Sequence, residues 1–357
     1  MRKAKRFTKR EKALAGMVII LALALIGVFV WKGDLSWLSE NPGQNNDGQK
    51  ISVSFYSAKT DIELPRQFDE ESLLEIHFID VGQGDAILVR LPDGKDMLID
   101  AGSGTTASNA VKNKFETYLE DMDIDTLDYL IITHPDSDHV NMAQIALDNY
   151  EVKNIYYNDI YSTASNTYKE FVDLSKVEDG AQLFSIDEDG EYYQIASEEW
   201  NYQIDIIAPG HSRFSDRNSM SVFCLLKYGG TEVLFTGDAH TDSEEYLMEY
   251  LDQGVDIDIL KVGHHGSDSS TSMEFLEFFD PEYAVISVAQ TNAYNHPSPF
   301  LMNRLFEYGV VTYRTNRHGD IVLYMDNQEN FGFLCGKNVA VENNSKEINE
   351  KRLVLEK

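Results

Sequence analysis

The chain holds only two cysteines in 357 residues. Cys224 and Cys335 lie far apart in strand-like stretches, so there is no cysteine cluster for a zinc ribbon or a redox motif. Two buried thiols account for them better than a disulfide. No repeat of fixed period and no collagen-like, coiled-coil or prion-like bias is present, which excludes solenoids and fibrous assemblies. Basic side chains are also scarce, with 30 Lys and Arg against 60 Asp and Glu. Seven of the basic residues fall in Met1–Lys12, which leaves 23 basic and 59 acidic residues from position 13 onward, a formal −36. Such a body repels phosphate backbones at long range, so no stable duplex nucleic-acid partner is expected, and an anionic substrate must be engaged locally.

Long apolar runs are absent apart from Ala13–Trp31, which is 19 residues without a charge. That length just crosses the hydrocarbon core of a bilayer. The basic segment 1–12 belongs on the cytoplasmic side, which predicts a single-pass cell-membrane protein with residue 32 onward outside the cell. No small-x-small cleavage pattern follows, so the run reads as a transmembrane anchor rather than a signal peptide. Residues 32–74 have linker composition, with one candidate strand at Ile51–Tyr56. A hydrolase-sized domain is expected over 75–336 and a polar tail over 337–357.

Within that domain, strands are expected at Glu75–Val81, Ala86–Leu91, Met97–Ile99, Leu127–Thr133, Val152–Tyr157, Tyr202–Ile207, Ser221–Tyr228, Glu232–Thr236, Ile257–Val262, Tyr283–Ala289, Val310–Tyr313 and Ile321–Met325. Helices between several of them imply an α/β fold in which two mixed sheets are covered by helices, an αββα sandwich. Residues 178–199 carry eight acids and no Lys or Arg, and are expected to form a solvated excursion.

The chemistry concentrates at strand ends. Thr133-His134-Pro135-Asp136-Ser137-Asp138-His139 follows the apolar Leu-Ile-Ile and opens a helix, so four metal-capable side chains converge on one turn. Helix capping explains one acid there, but not four ligands. Asp238 in Thr-Gly-Asp ends a second strand, and His264-His265 ends a third. Neutral imidazoles and carboxylates suit Zn²⁺ or Mn²⁺.

Six segments together resemble the ComEC-type branch of metallo-β-lactamase proteins. They are Asp80-Val81-Gly82-Gln83-Gly84-Asp85, Asp100-Ala101-Gly102, the His-x-Asp-x-Asp-His block, Thr-Gly-Asp, His-His-Gly-Ser, and Asn295-His296-Pro297. The resemblance spans about residues 75–325. It implies two divalent metal ions, with His134 and Asp136 on one, Asp138, His139 and His264 on the other, and Asp238 bridging. Asp100 would orient the first cluster. Whether His264 or His265 faces the metal is left open at this stage. His265 and His296 are the candidate general acids.

Two features depart from the family pattern. Asn141-Met142 replaces the usual Gly-Gly after the block, and no third histidine matches clearly, His211 being the nearest in sequence. Asn218 and Ser221 match polar family positions and are candidate substrate contacts. His240 is a candidate neighbour of the metals, His77 a structural residue and His318 a surface residue.

Two such ions lower the pKa of a water between them, which makes it a nucleophile. The resemblance thus implies an extracellular phosphodiesterase or nuclease, with single-stranded DNA as a candidate substrate. A phosphocholine-type or other small-ester hydrolase, and a non-catalytic metal-stabilised binding module, are the competing readings.

Overall fold

Alternation of side chains along the strands sorts the apolar residues into three layers. In Tyr129–Ile132, Ile131 packs between two sheets while Leu130 and Ile132 pack outward beneath helices. In Thr231–Phe235, Val233 and Phe235 join the same inter-sheet layer and Leu234 turns outward. Tyr283–Ile286 repeats the pattern, with Val285 inside and Ala284 and Ile286 outside. The result, in a computed structural model describing residues 69–158, 164–186, 191–210, 213–251 and 255–337, is the expected αββα sandwich.

One sheet has eight strands, in the spatial order Phe331–Cys335, Ile321–Met325, Leu74–Phe78, Ala86–Arg90, Asp96–Ala101, Tyr129–Ile132, Asn154–Asn158 and Gln182–Ile186. The other has seven, in the order Val311–Arg314, Tyr283–Ile286, Ile259–Lys261, Thr231–Phe235, Phe223–Tyr228, Tyr202–Ala208 and Glu191–Ser197. Helices Asn109–Asp121 and Asn166–Ser175 cover the outer face of the first sheet through Phe115, Tyr118, Leu119, Tyr168 and Phe171. Helices Thr241–Tyr250, Met273–Phe279 and Pro299–Tyr308 cover the second through Leu247, Phe275, Phe279, Leu301 and Leu305. Serine caps fix where several of them start: Ser108, Ser165 and Ser272 each accept the backbone N–H three residues on, satisfying a donor the first turn leaves free.

The acidic stretch 178–199 does not form the solvated excursion expected of it. Gln182–Ile186 and Glu191–Ser197 are strands at the outer edges of the two sheets. Of the eight acids only Glu191 lies within either strand, so the charge flanks the paired segments rather than interrupting them. A further strand, Phe331–Cys335, extends the first sheet beyond the expected set. Asp326 builds its turn, with Oδ1 accepting the N–H groups of Gln328 and Asn330.

The apolar run at 13–31, the linker strand at 51–56 and the segment from 338 to 357 lie outside the described residues. Among the described residues, no helix is long and apolar enough to cross a membrane. Cys224 is buried, Cys335 is partly buried, and both are free thiols.

Candidate metal centre

Strands Asp96–Ala101 and Tyr129–Ile132 run parallel in one sheet, and Thr231–Phe235, Ile259–Lys261 and Tyr283–Ile286 run parallel in the other. The C-terminal ends of parallel strands are where α/β folds place ligands. Here they deliver Asp100, His134, Asp238, His264, His265 and Ser287 in turn. The segment carrying Asp138 and His139 docks directly onto backbone. A Cβ on Gly102 would lie 2.1 Å from the Asp138 carbonyl carbon, and one on Gly84 would lie 2.5 Å from its oxygen. Only glycine permits that approach. Asn141 then fastens the loop opposite: its Oδ1 accepts Ser103 N–H at 3.0 Å, and its Nδ2 donates to the Ser103 and Gly104 carbonyls at 2.9 and 2.8 Å. The departure from Gly-Gly therefore supplies an amide staple beside the site.

Two histidines are held with matching tautomers. His139 Nδ1 donates to Asp100 Oδ2 at 2.7 Å, and Asp100 also accepts the Thr133 N–H and hydroxyl at 2.8 and 2.7 Å. His265 Nδ1 donates to the Ser287 carbonyl at 2.9 Å. With Nδ1 occupied, each neutral ring presents a bare lone pair on Nε2, and the two Nε2 atoms stand 3.3 Å apart. Asp238 Oδ1 lies 3.2 Å from His139 Nε2, and its Oδ2 lies 3.5 Å from His265 Nε2. Asp138 Oδ2 is also 3.5 Å from His265 Nε2. The Nε2 atoms of His134 and His264 each lie 3.9 Å from Asp238 Oδ2. Asp136 Oδ1 meets Arg217 Nη1 at 2.9 Å at the partly exposed rim.

Electrostatics within this cluster are strongly perturbed. Burial, reinforced by the neighbouring His139, pushes His134 well below the usual imidazole range. Burial opposes a charge on His139 too, but Asp238 and Asp100 outweigh it and push that ring well above the range. His265 moves upward against its burial, drawn by Asp238 and then by Asp138. Asp238 is driven well below the carboxylate range despite full burial, by His139 and His265 first. Asp138 is lowered to about 2 against its own burial, through His265 and His139.

The donor set fits a divalent cation. His134 Nε2 is buried and has no hydrogen-bond partner, and Asp238 Oδ1 faces His139 Nε2 without hydrogen-bond geometry. Without a cation the carboxylates draw protons onto His139 and His265, a divalent ion would take the place of those protons, and a buried acceptor such as His134 Nε2 left unpaired is otherwise costly. Asp85, His139, Asp238 and His265 each offer one such atom within 4.8 Å of one another. A mixed imidazole and carboxylate set of this kind suits Zn²⁺ or Mn²⁺.

The six residues read as metal ligands and the two read as general acids come together at this place. His134 and His139 are buried beneath a cleft that Asp136, Asp138, Asp238, His264, His265 and His296 line. The adjacent histidines divide. His265 is buried and turns into the cluster, whereas His264 is partly exposed, with Nδ1 2.9 Å from His240 Nε2 and Nε2 3.3 Å from Asn218 Nδ2. His296 sits at the mouth, 5.3 Å from the His264 ring, stacked on the exposed Tyr294. Ser221, expected to meet substrate, is instead fully buried and accepts the Asp238 N–H at 3.1 Å. His318, expected at the surface, is buried beside Tyr313 and accepts the Arg314 N–H at 2.9 Å. His77 is buried in its strand, bonded to Tyr118 and Glu75, as a structural residue. His211 lies outside the described residues. Sequence reasoning did not single out Asp85, Lys261, Ser287 or Arg217. The available signal was a lone lysine inside the apolar strand Ile259–Lys261 and an aspartate in the Gly-Gln-Gly-Asp turn.

A sandwich of two sheets with histidines and carboxylates at its strand ends defines an α/β protein with a candidate metal centre. Residues 79–290 match the metallo-beta-lactamase superfamily, and the chain belongs to it. The chain is 29% identical over 259 residues to ComE operon protein 3 of Bacillus subtilis, covering 69% of this chain and 32% of that protein. It is likewise 29% identical over 243 residues to competence protein ComA of Neisseria gonorrhoeae, covering 67% of this chain and 30% of that one. It is thus a ComEC-type metallo-β-lactamase fold protein, and it spans about a third of the length of the curated relatives it matches. Tm1679, a metal-dependent hydrolase of the beta-lactamase superfamily, aligns with a TM-score of 0.44 at 12% identity, over 68% of this chain and 95% of that one.

Proposed function

We propose that this chain is a membrane-tethered, dinuclear-metal phosphodiesterase acting outside the cell on single-stranded DNA or another phosphate ester. The observation that carries the reading is the pair of Nε2 atoms, from His139 and His265, that stand 3.3 Å apart and 3.2 and 3.5 Å from the Asp238 carboxylate. In this reading Asp138, His139, Asp238 and His265 hold one ion, and His134, Asp136, His264 and the shared Asp238 hold the other. His265 thereby takes the ligand role first assigned to His264, which moves to the neighbouring ion. Bound divalent ions supply Lewis acidity toward a phosphoryl oxygen and an activated water.

The surrounding side chains serve the same reaction. Asp100 holds the His139 tautomer through Nδ1. Arg217 lines the cleft and presents a guanidinium to an arriving anion, a geometry suited to phosphate oxygens. With His265 turned inward, His296 at the mouth is the remaining candidate to protonate a leaving group; burial and then His264 push it down to about 4, so it needs the charge of a bound anion to hold the proton. The cleft encloses about 380 Å³, the size of a small-ligand site rather than a duplex groove. Single-pass tethering rests on the basic and apolar pattern of residues 1–31. The cleft size and the net charge of −30 equally favour a second substrate, a small cell-surface ester such as a phosphocholine.

The test is a substrate panel. Full-length protein in detergent, loaded with Mn²⁺ or Zn²⁺, is assayed on a single-stranded oligonucleotide, bis-p-nitrophenyl phosphate, p-nitrophenyl phosphocholine and nitrocefin. Turnover of the first two is expected. Turnover of the phosphocholine ester alone selects the second reading, and bound metal with no turnover of any ester selects a binding module.

A further inference from the structure

We infer that a buried ion pair behind the cluster, Lys261 with Asp85, sets the charge felt at the metal centre and so tunes its affinity for divalent cations. The inference rests on the metal reading above. Lys261 occupies an inner-face position of its strand. Ile259, two residues earlier, packs between the sheets, and the residues level with Lys261 on either side, Phe235 and Val285, belong to the same apolar layer. Alternation therefore puts an ammonium where an aliphatic side chain would pack. It has no solvent exposure, and Asp85 has 1%. Its Nζ donates to Asp85 Oδ2 at 2.8 Å and to the Val262 carbonyl at 3.0 Å.

Stability does not explain such a pair. Desolvating two charges offsets most of their attraction, and apolar residues of similar volume often do as well. The orientation of the pair points to a task. While Oδ2 faces the lysine, Asp85 Oδ1 is buried without a hydrogen bond, and the carboxylate has an oxygen within 4.8 Å of a ligand-capable atom on each of His139, Asp238 and His265. It stands 3.6 Å from His265 Nδ1, whose proton Ser287 already takes at 2.9 Å. A carboxylate oxygen thus looks onto the cluster with a fixed cation directly behind it. Lys261 cancels most of the field of Asp85. Removing the lysine exposes the metals to an extra negative charge, and removing the aspartate exposes them to a bare ammonium in a region where charges are poorly screened.

The two single variants consequently move metal affinity in opposite directions. The experiment measures Mn²⁺ affinity of the full chain, from the loss of the free-Mn²⁺ EPR signal, with circular dichroism recording the fold of each variant. Asp85→Asn should weaken binding by roughly tenfold or more, Lys261→Met should tighten it by a similar factor, and the double variant should return to within about threefold of wild type. A merely structural pair gives a different result, because both single variants then weaken binding together, and that outcome overturns the inference. Should Lys261→Met be too unstable without metal for the titration, the rise in melting temperature between a low and a saturating Mn²⁺ concentration replaces it. The expected order of that rise is Lys261→Met above wild type above Asp85→Asn, and any other order overturns the inference. Wild-type protein that binds no Mn²⁺ removes the metal reading itself, whereas wild-type binding with equal affinities across the variants removes only the role of the pair.

Discussion

His139 and His265 come from opposite sheets and lie 126 positions apart in the chain, yet their Nε2 atoms stand 3.3 Å from one another. Each ring is fixed from behind, by Asp100 and by the Ser287 carbonyl. The first prediction follows from this contact. His265→Ala should lose at least one metal equivalent per chain, whereas His264→Ala, altering a partly exposed ring, should keep the ion at His139. Metal content by elemental analysis after desalting separates the two. Full occupancy in His265→Ala contradicts the assignment.

A second prediction concerns His296. If it protonates the leaving group, His296→Ala should retain metal and slow hydrolysis of alkyl phosphodiesters by roughly 10²–10⁴-fold. The loss should shrink for p-nitrophenyl esters, whose leaving oxygen needs little protonation. Equal losses across leaving groups, with metal retained, would assign His296 to substrate positioning.

A third prediction concerns pH and lies away from the cleft. Burial pushes Glu244 up to about 7 from its ordinary 4.5, although the carboxylate accepts the backbone N–H groups of Thr271 and Ser272 and feels Arg304. A folded-state pKa above the unfolded one contributes stability that is full below the unfolded value and is lost as pH rises through the folded one. Glu244→Gln mimics the protonated form. The amide keeps one acceptor and loses the other, which sets a fixed offset, and on top of that offset wild type should fall relative to Glu244→Gln by about 5 °C in melting temperature between pH 4.5 and pH 8. A gap that stays constant between those pH values contradicts the buried-acid account.

The fourth prediction concerns topology. Protease added to intact cells should remove the folded region while sparing the segment around residues 13–31. Complete protection, with cleavage only after lysis, would reverse the orientation read from the basic flank.

The metal-capable residues were legible in the sequence because each closes an apolar strand, and a His-x-Asp-x-Asp-His block leaves little room for a packing explanation. The choice between His264 and His265 was not legible. Both lie in the left-handed region, with φ of 46° and 50°, so the direction of each ring depends on a turn that residue spacing does not encode. Lys261 was hidden for a different reason. Its charge reads as solvent-facing until Asp85, 176 positions earlier in the sequence, is brought against it. The edge strands at 182–186 and 191–197 were obscured by the acids that flank them, since only Glu191 of the eight lies within either strand and strand pairing depends on backbone groups that composition does not report.

The account turns most directly on the number and proximity of bound ions. EPR of the full chain loaded with Mn²⁺ is predicted to give a spin-coupled two-ion signal that Asp238→Ala abolishes, because that carboxylate is the proposed bridge. A single uncoupled ion in wild-type protein, or a coupled signal that survives Asp238→Ala, would contradict it.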